Sequence, residues 1–173
     1  MDIKEYNLVK NYNYEEYCDY LKKKYGEAKY NYFSINWTKS NKITRTKEGL
    51  FCHHIYENID SDLSNRVTAS KRPYFYQQKE NLCYCDYLEH MLLHILIYEN
   101  NEYPMSIAIL GGNGLDNFII PELDNVYFNG YVTNQEWRRN CHNKIINDKN
   151  VYLLLKERYQ TKQEAIESLL LNN

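Results

Sequence analysis

Four of the five histidines in this chain fall into one pattern: His53-His54, then Asn81, then His90 and His94 four positions apart. Imidazole serves both as a neutral ligand for transition metals and as a proton acceptor near neutral pH. Residues four apart on a helix project from one face, with Cβ atoms about 5–6 Å apart, so His90 and His94 can converge on one ion. A third ligand would come from His53 or His54. Neighbours on a strand point to opposite faces, so one of this pair can face the ion while the other serves a different task. Three protein ligands leave positions open for water or a phosphate oxygen, as a catalytic metal site requires. The remaining histidine could deprotonate a water that attacks phosphorus, while the ion neutralises charge in the transition state. This set of parts suits hydrolysis of a phosphodiester.

The elements that must position these residues are legible around them. Leu50 to Ile55 reads as a short strand ending at the histidine pair, and Asn81 to Cys85 as a second one. Asp86 and Glu89 have capping-box spacing and start a helix that should run to about Glu99. Tyr56 to Glu80, between the strands, is irregular. Upstream, Tyr14 to Tyr25 reads as a helix stopped by Gly26. Downstream, Ile107 to Leu110 leads into Gly111-Gly-Asn-Gly114, read as a plain turn because it lacks the Lys-Ser/Thr of a phosphate-binding loop. Thr133 with Glu136, and Thr161 with Glu164, have capping-box spacing and predict two closing helices. Trp137 is assigned to the core, with Arg138 and Arg139 solvated. Arg66, Lys71 and Arg72 could contact phosphates but are read as exposed loop charges. Glu57 and Glu89 are candidate extra ligands, or carboxylates that orient a ligating imidazole, with the simpler roles of solvated carboxylate and cap partner preferred. His142 receives no functional role.

A strand with His-His, a strand with Asn and a helix with His-x-x-x-His resemble the HNH, or ββα-metal, nuclease superfamily. The step of nine residues from Asn81 to His90, and of four to His94, is similar to that in the colicin-type DNases. The phrase "HHI…NL…EH…H" also resembles small HNH proteins of phages and mobile elements of Gram-positive bacteria. The resemblance covers Leu50 to Glu99. It implies an α+β fold: a ββα-metal core at residues 50–99, with flanking helical extensions 1–49 and 100–173 packed on it in a single domain 1–173. It further implies His53, His90 and His94 as ligands of one divalent ion (Mg, Mn, Ni or Zn), His54 as general base and Asn81 as the residue orienting that base. The implied activity is metal-dependent cleavage of DNA. The interval from His54 to Asn81 is longer than in compact members, so an insertion must loop out of the hairpin. The cysteine zinc knuckle of many members is absent.

Composition sets outer limits. With 173 residues, 43% of them hydrophobic, the chain can bury one substantial core. No stretch approaches the roughly 18–20 apolar residues of a membrane span, and the first residues lack the apolar segment of a signal peptide; the expected location is cytoplasmic, with no membrane partner. The five cysteines form no C-x-x-C pair, which argues against a disulfide framework, and Cys52, Cys83 and Cys85 read as buried thiols. A net charge of −2 means that any grip on DNA is local; candidate cations are Lys22 to Lys24, Lys39 to Lys47, Lys71-Arg72 and Arg138-Arg139. The nineteen tyrosines, like the abundant Asn, Lys and Ile, have A/T-rich codons, so genome composition explains them before function does. The alternative to an enzyme is a non-catalytic HNH-like scaffold that binds a protein through an acidic, tyrosine-rich surface, as a phage-encoded inhibitor of a host defence nuclease would. His54 favours the enzyme, since a binding scaffold has no need of a general base.

Overall fold

The computed structural model describes residues 1–100 and 110–171. In chain order these form α1 (Ile3–Val9), α2 (Tyr14–Tyr25), β1 (Phe51–His54), α3 (Arg66–Ala69), β2 (Leu82–Cys85), α4 (Tyr87–Glu99), α5 (Ile120–Tyr127), α6 (Glu136–Ile145) and α7 (Lys149–Leu171). The fold is α+β, as expected: helices around a small antiparallel sheet in which β1 pairs β2, with His53 opposite Cys83 and His54 opposite Leu82. Residues 55–81 leave the hairpin as a series of short helical turns before β2 begins.

Local chemistry fixes the start of the central helix. The Asp86 carboxylate accepts from Glu89 N at 2.9 Å, and the Glu89 carboxylate accepts from Asp86 N at 2.6 Å, the reciprocal cap predicted above. Glu89 is also held by Lys24 Nζ at 2.6 Å and the Tyr25 hydroxyl at 3.0 Å, which fastens the end of α2 to the first turn of α4. Helix α2 has its own reciprocal cap, Asn13 with Glu16, and stops where Gly26 adopts φ +79°. Helix α4 is apolar on every side and is accordingly packed on every side, by α2, α7, α6 and both strands. Between Tyr87 and Tyr98 every residue is buried except His90 and His94, which are half-buried. The two candidate ligands are thus where this core helix reaches towards solvent.

Several local expectations give way to tertiary packing. Thr161 lies in the interior of α7 and caps nothing. Val151, Tyr152, Leu155 and Tyr159 bury one continuous face of that helix, so it runs through the capping-box sequence. Thr133 forms a local turn instead, its hydroxyl accepting from Gln135 N at 3.2 Å, and α6 starts at Glu136 with no side-chain cap. Trp137 is 43% exposed and not core. Arg138 is not simply solvated: with His142 it converges on Glu122, at 2.5 Å from Arg138 Nε and 2.6 Å from His142 Nε2. Arg72 pairs with Asp60 at 3.0 Å. Cys83 and Cys85 are buried free thiols as expected, and Cys52 is half-buried. Ile107, Ala108 and Ile109 lie outside the described residues. No helix among the described residues is long and apolar enough to cross a membrane.

Candidate metal centre

Strand alternation sends His53 and His54 to opposite faces. His53 turns towards α4, where its ring centroid lies 5.3 Å from that of His90 and 5.6 Å from that of His94. His54 turns the other way, under the Tyr32 ring at 4.4 Å between centroids. The short helical turn Ile55–Asn58 then curls Glu57 back over the end of β1, where it meets both histidines. Glu57 Oε2 is 3.5 Å from His53 Nδ1 and 3.6 Å from His94 Nε2, while Oε1 is 3.6 Å from His54 Nδ1. Glu57 is therefore no solvated carboxylate.

His53, Glu57, His90 and His94 form a group that could hold a metal ion: one donor atom from each lies within 4.8 Å of all the others. Hydrogen bonding fixes which nitrogen that is for His53 and His94. The Tyr14 hydroxyl donates to the Ile55 carbonyl at 2.8 Å, so it accepts from His53 Nε2–H, also at 2.8 Å. That leaves a lone pair on His53 Nδ1, which is buried and has no hydrogen-bond partner. An orphaned buried acceptor is costly unless something fills the role. His94 Nδ1 donates to the Gly111 carbonyl at 3.3 Å, leaving Nε2 as its free lone pair, 3.1 Å from His90 Nε2. An ion with ligands at about 2.0–2.1 Å in tetrahedral array places them about 3.3 Å apart. The edges of 3.1, 3.5 and 3.6 Å come close to that.

Electrostatics favour the ligand forms. Burial pushes the His53 imidazole down to about 3 against the pull of Glu57, with His94 and His54 adding to the depression. Burial likewise holds His90 well below its usual range, helped by His94 and His53, and lowers His94 despite Glu57. Glu57 moves as a carboxylate should among such groups: burial would raise it, but His53, His94 and His54 outweigh burial and hold it below the ordinary range. Neutral imidazoles beside an ionised carboxylate are what a cation needs.

Two glycines of the Gly111–Gly114 segment also serve this site. Gly111 sits at φ +75°, and a side chain on it would meet the His94 carbonyl oxygen at 2.6 Å. A Cβ on Gly114 would come within 2.7 Å of His94 Cε1. The segment read as a plain turn therefore closes against the His94 ring and supplies the carbonyl that sets its tautomer. Its helical turn Gly112–Gly114 continues through a π-helical stretch, Leu115–Ile119, into α5.

His54, the expected base, and Asn81, its expected partner, lie apart from one another. Asn81 ends a short turn just before β2, and its amide donates to the Phe75 carbonyl at 2.8 Å. Gln77 takes the position at His54 that Asn81 was expected to hold. Its Nε2 donates to the Leu63 carbonyl at 3.2 Å, which turns Oε1 towards His54 Nε2 at 3.0 Å. The sequence thus brings together His53, His90 and His94, places His54 directly behind Glu57, and leaves Asn81 outside the group. Glu57, four residues after His53, is a candidate extra ligand in the sequence, but the simpler solvated role preferred there is the one the structure overturns. Reading the spacing missed Tyr14, Gln77 and the two glycines, for which only tertiary contacts give the signal.

Three of the four residues, Glu57, His90 and His94, line a cleft of about 800 Å³ together with the Ile43–Thr46 segment, Lys39, Asn65 and Phe118. No protein-family model, curated protein or solved structure matches the chain.

Proposed function

We propose that this protein is a metal-dependent endonuclease of HNH type that hydrolyses phosphodiester bonds of DNA in the cytoplasm, serving a phage or mobile element. The observation that supports it best is the convergence of donor atoms from His53, His90, His94 and Glu57 on one point, with Glu57, His90 and His94 lining a cleft. The ligands come from a two-stranded hairpin and the helix after it, in keeping with a ββα-metal core.

In this reading His53, His90 and His94 hold one divalent ion, Mg, Mn, Ni or Zn, which supplies charge neutralisation at the phosphorus oxygens. Glu57, ionised beside the ion, would orient the water that attacks phosphorus, and His54, 3.6 Å behind its other carboxylate oxygen with its ring held by Gln77, is the general base of this reading. Lys39 on the cleft wall draws in the phosphate. Asn81 takes no part.

Plasmid nicking with each metal, beside EDTA, His54→Ala and Glu57→Gln, tests this directly. Metal-dependent cutting that EDTA and both substitutions abolish is the expected result. A folded, metal-loaded protein that cuts nothing would sink the nuclease.

One observation favours a second reading. His54 is 0% exposed and forms no part of the cleft wall. A non-catalytic scaffold that binds a host defence protein would bury it in this way. Such a protein would bind metal, cut nothing, and keep its fold and partner after His54→Ala.

A further inference from the structure

The cleft is larger and greasier than a phosphate alone requires. At about 800 Å³ it is the size of a small-molecule pocket. Ile43, Leu50, Phe51 and Ile119 give it a mainly apolar lining. Phe118 stands on the same wall with 74% of its surface exposed, which leaves its ring face open to a ligand in the cleft. It sits on the π-helical stretch Leu115–Ile119, a distortion that recurs at functional sites.

Charge points the same way. Of the two basic residues on the wall, Arg45 is committed to Glu48 at 2.8 Å and to the Tyr25 carbonyl at 2.7 Å. Lys39 makes no ion pair among the described residues and lies over the Tyr32 ring at 4.5 Å. Tight binding to duplex DNA rests on many phosphate contacts, and this wall with a chain charge of −2 supplies few. Binding of single strands draws instead on stacking, because an unpaired base presents its π-face to an aromatic ring.

Resting on the nuclease reading above, we infer that the substrate is a strand unpaired at the scissile position, with one nucleobase seated in the cleft and stacked on Phe118. Asn65 and Asn113, both exposed on the cleft wall, present amides to the base edge. The phosphate next to that base then reaches His90, His94 and Glu57, which share the same wall.

Fluorescence anisotropy of a short labelled oligodeoxynucleotide, single-stranded and as its duplex, tests this with the full chain in EDTA so that nothing is cut. The single strand should bind about tenfold tighter than the duplex, and Phe118→Ala should remove about tenfold of the single-strand affinity. Phe118→Trp should keep it, and circular dichroism should show both variants folded. Equal affinity for duplex, an indifferent Phe118→Ala, or no binding of either form would overturn the inference. Metal-dependent nicking without strand preference would keep the nuclease and discard the stacked base. Phe118-dependent single-strand binding with no cutting under any metal would do the reverse. Binding of a protein partner that Phe118→Ala abolishes, with no oligonucleotide bound, would assign the cleft to that partner.

Discussion

Tyr14 and His53 are joined by a 2.8 Å hydrogen bond that decides which nitrogen of His53 is free. Because the tyrosine hydroxyl spends its own proton on the Ile55 carbonyl, it can only accept from the imidazole. The far nitrogen is then left bare, buried, and aimed at Glu57, His90 and His94.

Removing that hydroxyl should therefore weaken metal binding without touching a ligand. Tyr14→Phe keeps the ring, which is 1% exposed, in its packing. Loss of an outer partner of this kind typically costs about 10–100-fold in metal affinity. Isothermal titration calorimetry with Zn²⁺ checks it; unchanged affinity would show that Tyr14 does not set the tautomer.

Metal should stabilise the fold through the same atoms. Ligand at a hundredfold excess over its Kd adds about 2.7 kcal/mol to unfolding stability. Thermal denaturation should show a rise in Tm on adding Zn²⁺ or Ni²⁺, reversed by EDTA. His90→Ala and His94→Ala should each abolish that rise. A rise that survives both would place the ion elsewhere.

Acid should act on the metal-free protein through its buried imidazoles. His53 has its pKa lowered to about 3 in the fold, against about 6.5 for a free histidine. The unfolded chain thus binds more protons than the folded one below about pH 6.5. Stability should be intact above that value and fall progressively as pH drops towards 3. Urea titrations at a series of pH values measure the slope, and His53→Gln should flatten it. A slope unchanged by that substitution would contradict the buried neutral imidazole.

Gly114 offers a test of the clasp over His94. An added methyl would press on the imidazole at 2.7 Å, and overpacking of this kind costs about 1–3 kcal/mol. Gly114→Ala should lower Tm and reduce metal affinity together. Gly130, where an added Cβ meets nothing within 4 Å, provides the control for a merely local backbone effect, since its own strain at φ +61° lies away from the centre. Equal metal affinity in wild type and Gly114→Ala would show that the ring moves aside freely.

Gln77 and Asn81 should separate cleanly. Gln77 is 0% exposed and contacts His54, whereas the Asn81 amide serves only the Phe75 carbonyl among the described residues. In the nicking assay Gln77→Ala should lower the rate about tenfold or more, as loss of an orienting partner does. Asn81→Ala should leave it near wild type. The opposite pattern would return the orienting role to Asn81.

What the sequence determined by itself was the part governed by short-range geometry. Asp86 and Glu89 capped α4 as their spacing required, Asn13 and Gly26 bounded α2, and the four-residue step from His90 to His94 put both rings on one face. Alternation along β1 sends His53 and His54 to opposite faces, as their adjacency on a strand requires. Tertiary structure alone decided the rest. Thr161 has a cap's neighbours, yet the buried face of α7 carries the helix past it. Glu57 looks like a surface carboxylate until one helical turn folds it over the end of β1. Gln77 displaces Asn81 at His54, and Gly111 and Gly114 become meaningful only where the chain returns to His94. These partners lie between three and about forty positions apart. No local preference encodes such pairings, because the free energy that selects them comes from burying α4 and its neighbours together.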